Sequence, residues 1–192
     1  MKVRDSGMPE PEYWESLFEI DGVLAGLGID DRINDAVEVG CGYGTFTVPV
    51  AKRIRGTLHS FDIEPAMIAA TRDRLERAGV ANVALRERDV IADGFGLPLR
   101  SMDAVLLFNI LHTEDPVALL QSSAGLLRSG GRVLVIHWRS DVKTPRGPDL
   151  SIRPKPDQII AWANHTGSLT ADSSARMLPP WHFGLTLHRH VP

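Results

Sequence analysis

Along the chain, short runs of apolar residues alternate with longer stretches whose apolar positions recur every three or four residues, the rhythm of strands followed by helices. Asp35–Val39 is brief and valine-rich, as a buried parallel strand is, and Thr45–Ile54 then places Phe46, Val50 and Ile54 at four-residue spacing. Thr57–Asp62 reads as a second strand. The helix after it runs through Ala78 and carries Pro65 in its first turn, where a missing N–H costs nothing. Val83–Arg88 is a third strand, and Met102–Asn109, almost unbroken in its apolar character, fits a central parallel strand. The spacing of Leu119, Leu120, Leu126 and Leu127 predicts a helix over Pro116–Leu127. Gly130 and Gly131 are expected to cap it and turn the chain into a fifth strand, Arg132–His137.

The junction between the first strand and its helix carries the chemistry: Glu38-Val39-Gly40-Cys41-Gly42-Tyr43-Gly44-Thr45. Alternating glycines permit positive φ and remove each Cβ that would hold a ligand off the backbone. Nucleotide-like ligands bind at such strand-to-helix turns. A dinucleotide fingerprint, G-x-G-x-x-G, would place its third glycine where Thr45 stands. The acid at Glu38 also suits a ligand bearing positive charge better than one bearing phosphates.

This segment resembles motif I of the class I S-adenosylmethionine-dependent methyltransferases, E/D-x-G-x-G-x-G, and LLRSGGRVLVI resembles that family's L-x-P-G-G-x-L fifth-strand signature with serine in place of proline. The resemblance covers about Asp35 to His137 and, more loosely, the remainder. It implies an α/β fold, a doubly wound, seven-stranded, mostly parallel sheet in the order 3-2-1-4-5-7-6 with an antiparallel last strand and helices on both faces. It implies S-adenosylmethionine as cofactor, S-adenosylhomocysteine as product and a small-molecule methyl acceptor. The cofactor residues carried over are Glu38, Gly40, Gly42, Gly44, Asp62, Ile63, Met67, Asp89, Val90 and Asn109. Asp62, closing the second strand, is suited to accept hydrogen bonds from both ribose hydroxyls. Asp89 stands where the family commonly contacts the adenine amino group, although a loop acid that caps a turn would look the same. Met67 reads equally as adenine contact or as core.

At 192 residues the chain has the size of one domain. We divide it into an N-terminal helical cap segment (1–30), a cofactor-binding core (31–138) and a C-terminal helix and strand pair (139–192). The net charge of −3 and pI near 6.1 argue against a polyanion-binding face, hence against nucleic acid. No apolar stretch reaches membrane-spanning length, and Met1–Gly7 lacks the apolar core of a secretory leader. The lone Cys41 leaves a cytoplasmic protein as the expectation and reads as a small residue packed in the turn. A homodimer stays open.

Methyl transfer is an in-line displacement driven largely by alignment, so no universal catalytic residue is required. If the acceptor must lose a proton, His112 in Asn109-Ile110-Leu111-His112 is the candidate general base, with a buried structural histidine as the competing reading. Tyr13, Trp14, His137 and Arg139 are candidate substrate contacts, and Trp138, leaving the fifth strand beside His137, is placed to line the acceptor site with them. Trp14, Leu17 and Phe18 share one helical face, which either closes over the cofactor or packs on the sheet. Arg146 and Arg153 suit an acidic substrate, although loop arginines are usually solvated. His182, His188 and His190 lack a clustered carboxylate or cysteine, so no metal site is expected. A helix over 156–165 and strands within Leu169–Met177 and Trp181–His190 complete the chain. The absence of D/N-P-P-Y/F after the fourth strand points away from DNA and protein-amide acceptors. Two alternatives remain: a non-catalytic S-adenosylmethionine-binding protein and a nucleotide-dependent oxidoreductase.

Overall fold

The computed structural model describes residues 8–172 and 174–190, so the reading of Met1–Gly7 lies outside the described residues. Five strands form the parallel part of the sheet: β1 (Ala36–Val39), β2 (Leu58–Asp62), β3 (Val83–Glu87), β4 (Met102–Phe108) and β5 (Leu127–Trp138). Helix α3 (Thr47–Ala51) follows β1, α4 (Pro65–Ala78) follows β2 and α5 (Pro116–Leu126) follows β4. After α6 (Pro156–His165) come β6 (Leu169–Ala171), β7 (Arg176–Leu178) and β8 (His182–Arg189). The order is β3-β2-β1-β4-β5-β8-β6, with β8 antiparallel to β5. This is the expected topology, except that the strand before the last is split into β6 and β7, both paired to β8.

Strand alternation builds a core on each face. Val105 and Leu107 of β4, Val133 and Val135 of β5, and Leu185 and Leu187 of β8 pack with Leu119, Leu120, Ile159 and Ala163 of α5 and α6. Ala104, Leu106, Leu134 and Ile136 point the other way, onto Val23 and Leu24 of α2 (Ile20–Gly26) and Val50 and Ala51 of α3. Strands buried on both faces must be apolar throughout, which is why they could be read from the sequence.

Two local expectations are corrected. The glycines at 130–131 do not cap α5: its C-cap is Leu127 with extended backbone (φ −70°, ψ 136°), and β5 starts there, pairing Leu127 with Met102 before the register shifts. The apolar N-terminal face is not one helix. α1 (Pro11–Glu15) ends where the Ser16 hydroxyl donates to the Tyr13 carbonyl at 2.7 Å, and α2 starts afresh at Ile20.

Candidate functional site

The carboxyl ends of β1, β2 and β4 open on a cavity of about 780 Å³, sited where the sheet order reverses between β1 and β4. Its floor is the glycine turn. The N–H groups of Gly40 and Cys41 both donate to the Phe61 carbonyl, at 2.7 and 3.1 Å, tying the turn to β2. Gly40 and Gly42 line the cavity, whereas Gly44 does not. Gly44 has φ +75°, and a Cβ there would meet Thr71 Oγ1 and Arg74 Cδ at 3.3 Å, so this glycine lets α4 approach the turn. The Thr71 hydroxyl in turn donates to the Gly42 carbonyl at 2.8 Å.

Asp62 is aimed by the backbone: one carboxylate oxygen accepts the N–H of Gly42 and the other that of Glu64, both at 3.0 Å. Ile63 and Met67 lie beside it on the cavity wall. Glu38 is 2% exposed, and one of its oxygens accepts from the hydroxyls of Thr47 at 2.7 Å and Ser60 at 2.6 Å. Burial raises its carboxyl to about 7, against the lowering effect of those two hydrogen bonds, and the Asp62 charge adds to the rise. Burial, with the nearby Glu38 and Asp62, likewise pushes the Cys41 thiol up, out of the range of an activated nucleophile.

Asp89 and Val90 line the opposite wall. Asp89 also accepts the N–H groups of Ile91 and Ala92 at 3.0 Å, so the capping geometry and the cavity position coexist. Asn109 sits just past β4 at φ +56°, a conformation asparagine tolerates better than most residues. Its N–H donates to the Ile136 carbonyl at 2.8 Å, and its buried side-chain oxygen has no hydrogen-bond partner. A buried acceptor of this kind asks for a ligand or water donor.

Of the other sequence candidates, Trp14 and His112 line the cavity. Tyr13 is 44% exposed and lies outside it, and Arg139 is turned away into an exposed pair with Asp141 at 2.7 Å. His137 is fully buried behind the wall, where burial holds its ring down at about 3, with Nε2 3.3 Å from His112 Nδ1. Arg146 reaches the cavity. Arg153 is not solvated: 7% exposed, it donates to the carbonyls of Pro148 and Arg139 at 2.8 Å and lies 5.7 Å from the centre of the Trp138 ring. His188 does have a carboxylate partner, Asp172 at 2.7 Å, but among the described residues no cluster of three potential metal ligands forms.

The sequence reading missed Met8, Pro9, Phe46, Phe108 and Pro148 in the lining, whereas Trp138, expected there, does line the cavity. The signal available for the first two was Tyr43, whose hydroxyl donates to the Pro9 carbonyl at 2.9 Å and draws the N-terminal segment over the glycine turn.

Comparison with known proteins agrees with this geometry. A family model described as a methyltransferase domain matches residues 36–131, half of the chain. Aklanonic acid methyltransferase DauC of Streptomyces sp. (strain C5) is 33% identical over 100 residues, covering 50% of this chain and 44% of that protein. A ubiquinone biosynthesis O-methyltransferase of Xanthomonas axonopodis pv. citri (strain 306) is 26% identical over 168 residues, covering 76% of this chain and 66% of its own length. The chain thus spans less than two thirds of these curated relatives. A crystal structure of a SAM-dependent methyltransferase from Aquifex aeolicus superposes with a TM-score of 0.81 at 17% identity, covering 94% of each chain, and shows the shared fold. The chain belongs to the methyltransferase-domain family, within the class I S-adenosylmethionine-dependent methyltransferases.

Proposed function

We propose that this protein transfers the methyl group of S-adenosylmethionine to a small-molecule acceptor. The observation that carries the reading is the convergence of Glu38, Gly40, Gly42, Asp62, Asp89 and Asn109 on one cavity at the switch point of the sheet. The residues fit the cofactor. Asp62, held by two backbone N–H groups, retains lone pairs for ribose hydroxyls. The buried Asn109 oxygen awaits a donor, and Glu38 offers negative charge to a cationic ligand. When bound, S-adenosylmethionine supplies an electrophilic methyl on a positively charged sulfur.

The chain's own residues then have to orient the acceptor, exclude water and receive a proton where the acceptor has one to lose. Trp14, Phe46, Phe108 and Trp138 contribute aromatic surface to the lining, linked through ring contacts such as Phe46–Phe108 at 5.1 Å. Such a wall suits a flat organic acceptor. Relatives named for aklanonic acid and for ubiquinone biosynthesis are consistent with an acceptor of that kind. We assign the acceptor's proton to His112, a reading supported by its place in the cavity lining.

Calorimetric titration tests the reading. S-adenosylhomocysteine and S-adenosylmethionine should bind saturably and NADH should not. Binding of NADH alone, or of nothing, would overturn it. An acceptor screen that never yields turnover despite tight cofactor binding would favour the non-catalytic alternative.

A further inference from the structure

The geometry points to His137 as a positioning residue: its ring, buried behind the cavity wall, fixes the tautomer of His112 so that the lone pair of His112 falls on Nε2. This rests on the proposed role of His112 as the acceptor's base.

The argument is one of donors and acceptors. His137 Nδ1 lies 3.3 Å from the carbonyl oxygen of Trp138. A carbonyl oxygen only accepts, so Nδ1 of His137 must carry the hydrogen. His137 is fully buried, and desolvation first, with His112, His182 and Arg153 as further opposing charges, keeps it neutral. A neutral ring protonated at Nδ1 has its lone pair at Nε2, which therefore accepts from the atom it faces, His112 Nδ1, at 3.3 Å. That nitrogen must be N–H, and in the neutral ring the lone pair of His112 is then left on Nε2. The register of the sheet brings the rings together. β4 and β5 pair Phe108 with Ile136, so His137, the next residue of β5, lies at the edge from which the chain leaves β4 toward His112.

The arrangement also directs the proton. As the X–H bond of the acceptor breaks, its electron pair stays on X and the proton forms the new Nε2–H bond, making His112 an imidazolium. Its Nδ1–H then becomes a stronger donor to His137, so the charge is stabilised where it forms. Because His137 resists protonation, the proton stays on His112. The charged and titratable groups that face His137, besides His112, are His182 and Arg153, which oppose charge on it, and the Phe183 ring lies with its centroid 6.3 Å away.

The test is long-range 15N–1H correlation of the histidine rings in the full chain near neutral pH, with and without S-adenosylhomocysteine. Both His112 and His137 should show protonated Nδ1 and unprotonated Nε2, the rarer tautomer of free histidine. In His137→Phe the unprotonated 15N resonance of His112 should move from Nε2 toward Nδ1. In His137→Gln, whose side-chain oxygen can stand where Nε2 stood, it should stay on Nε2. A wild-type His112 protonated at Nε2 overturns the inference, whether or not His137→Phe folds, as does a folded His137→Phe with unchanged tautomer. S-adenosylhomocysteine affinity, measured on the same samples, reports separately on the cofactor reading.

Discussion

At the scale of single residues, two carboxylates on neighbouring strands do different work because their surroundings differ. Asp62 is held half-exposed at the cavity wall by two backbone donors, whereas Glu38 is sealed beneath it. Replacing Asp62 by alanine removes a charged acceptor from the ligand's reach and should weaken S-adenosylhomocysteine binding by roughly 1.5 to 3 kcal/mol, read by calorimetry. A folded variant with unchanged affinity would contradict the role assigned to it. Glu38, although it also lines the cavity, bears on stability as well. Its carboxyl is raised from the ordinary 4.5 to about 7, so it binds its proton more tightly when folded; its stabilising contribution is complete below pH 4.5 and lost as pH rises to 7. His137 and His182, lowered from 6.5 to about 3, run the other way, because the unfolded chain takes up their protons first and stability is lost as pH falls through that window. Glu38 therefore offsets part of what the histidines contribute between pH 4.5 and 6.5. Glu38→Gln keeps an oxygen for Thr47 and Ser60 and removes the opposing slope. Its unfolding free energy should rise by about 2 kcal/mol more than the wild type's between about pH 5 and 6.5, at ~1.4 kcal/mol per unit, in urea titrations at the two pH values. Parallel wild-type and variant slopes would refute it.

Among the elements, legibility followed the range of the forces involved. Helix α4 could be read at both ends because its signals are local: Pro65 at the start and Gly79 at φ +62° as its left-handed cap. The central strands β1 and β4 were legible because burial on both faces demands nearly unbroken apolar runs. The end of α5 was not, since pairing of Leu127 with Met102 captured the chain before any glycine could cap the helix. The loop between β5 and α6 was illegible for a stronger reason: its shape depends on Arg153, which donates to the carbonyls of Pro148, Arg139 and, at 3.5 Å, Arg146. Nothing local marks an arginine that will be buried among carbonyls against a tryptophan ring. Arg153→Met retains length and apolar contact with Trp138 but removes all three donors. We expect a loss of about 2 kcal/mol in unfolding free energy and faster native-state trypsin cleavage after Lys143 and Arg146. An unchanged cleavage pattern would mean that the loop holds its shape without the guanidinium.

For the molecule as a whole, the N-terminal segment raises the question that hydrophobic patterning left open, whether it closes over the ligand or merely covers the sheet. It does the second through Leu17 and Phe18, which join the core on the α2–α3 face. Farther out, its residues are tethered to the machinery of the site. The Tyr43 hydroxyl holds Pro9, Glu15 pairs with Arg74 on α4, and Met8 Cε lies 3.2 Å from where a Cβ of Gly42 would stand. Met8, Pro9 and Trp14 thereby become cavity wall, assembled against a turn more than twenty-five residues farther along the chain. A wall held by a hydroxyl, an ion pair and the edge contacts of Trp14 with Phe18 and Trp138, at a partly exposed surface, is the kind of element that opens at lower free-energy cost than the core. Removing only the hydroxyl separates the two roles. If the segment gates the site, Tyr43→Phe loses one hydrogen bond of about 0.5 to 1.5 kcal/mol from the closed state, and S-adenosylhomocysteine should dissociate roughly two- to tenfold faster in stopped-flow displacement, with little change in Tm. If the segment is only packing, the dissociation rate will hold and any loss will appear in Tm instead.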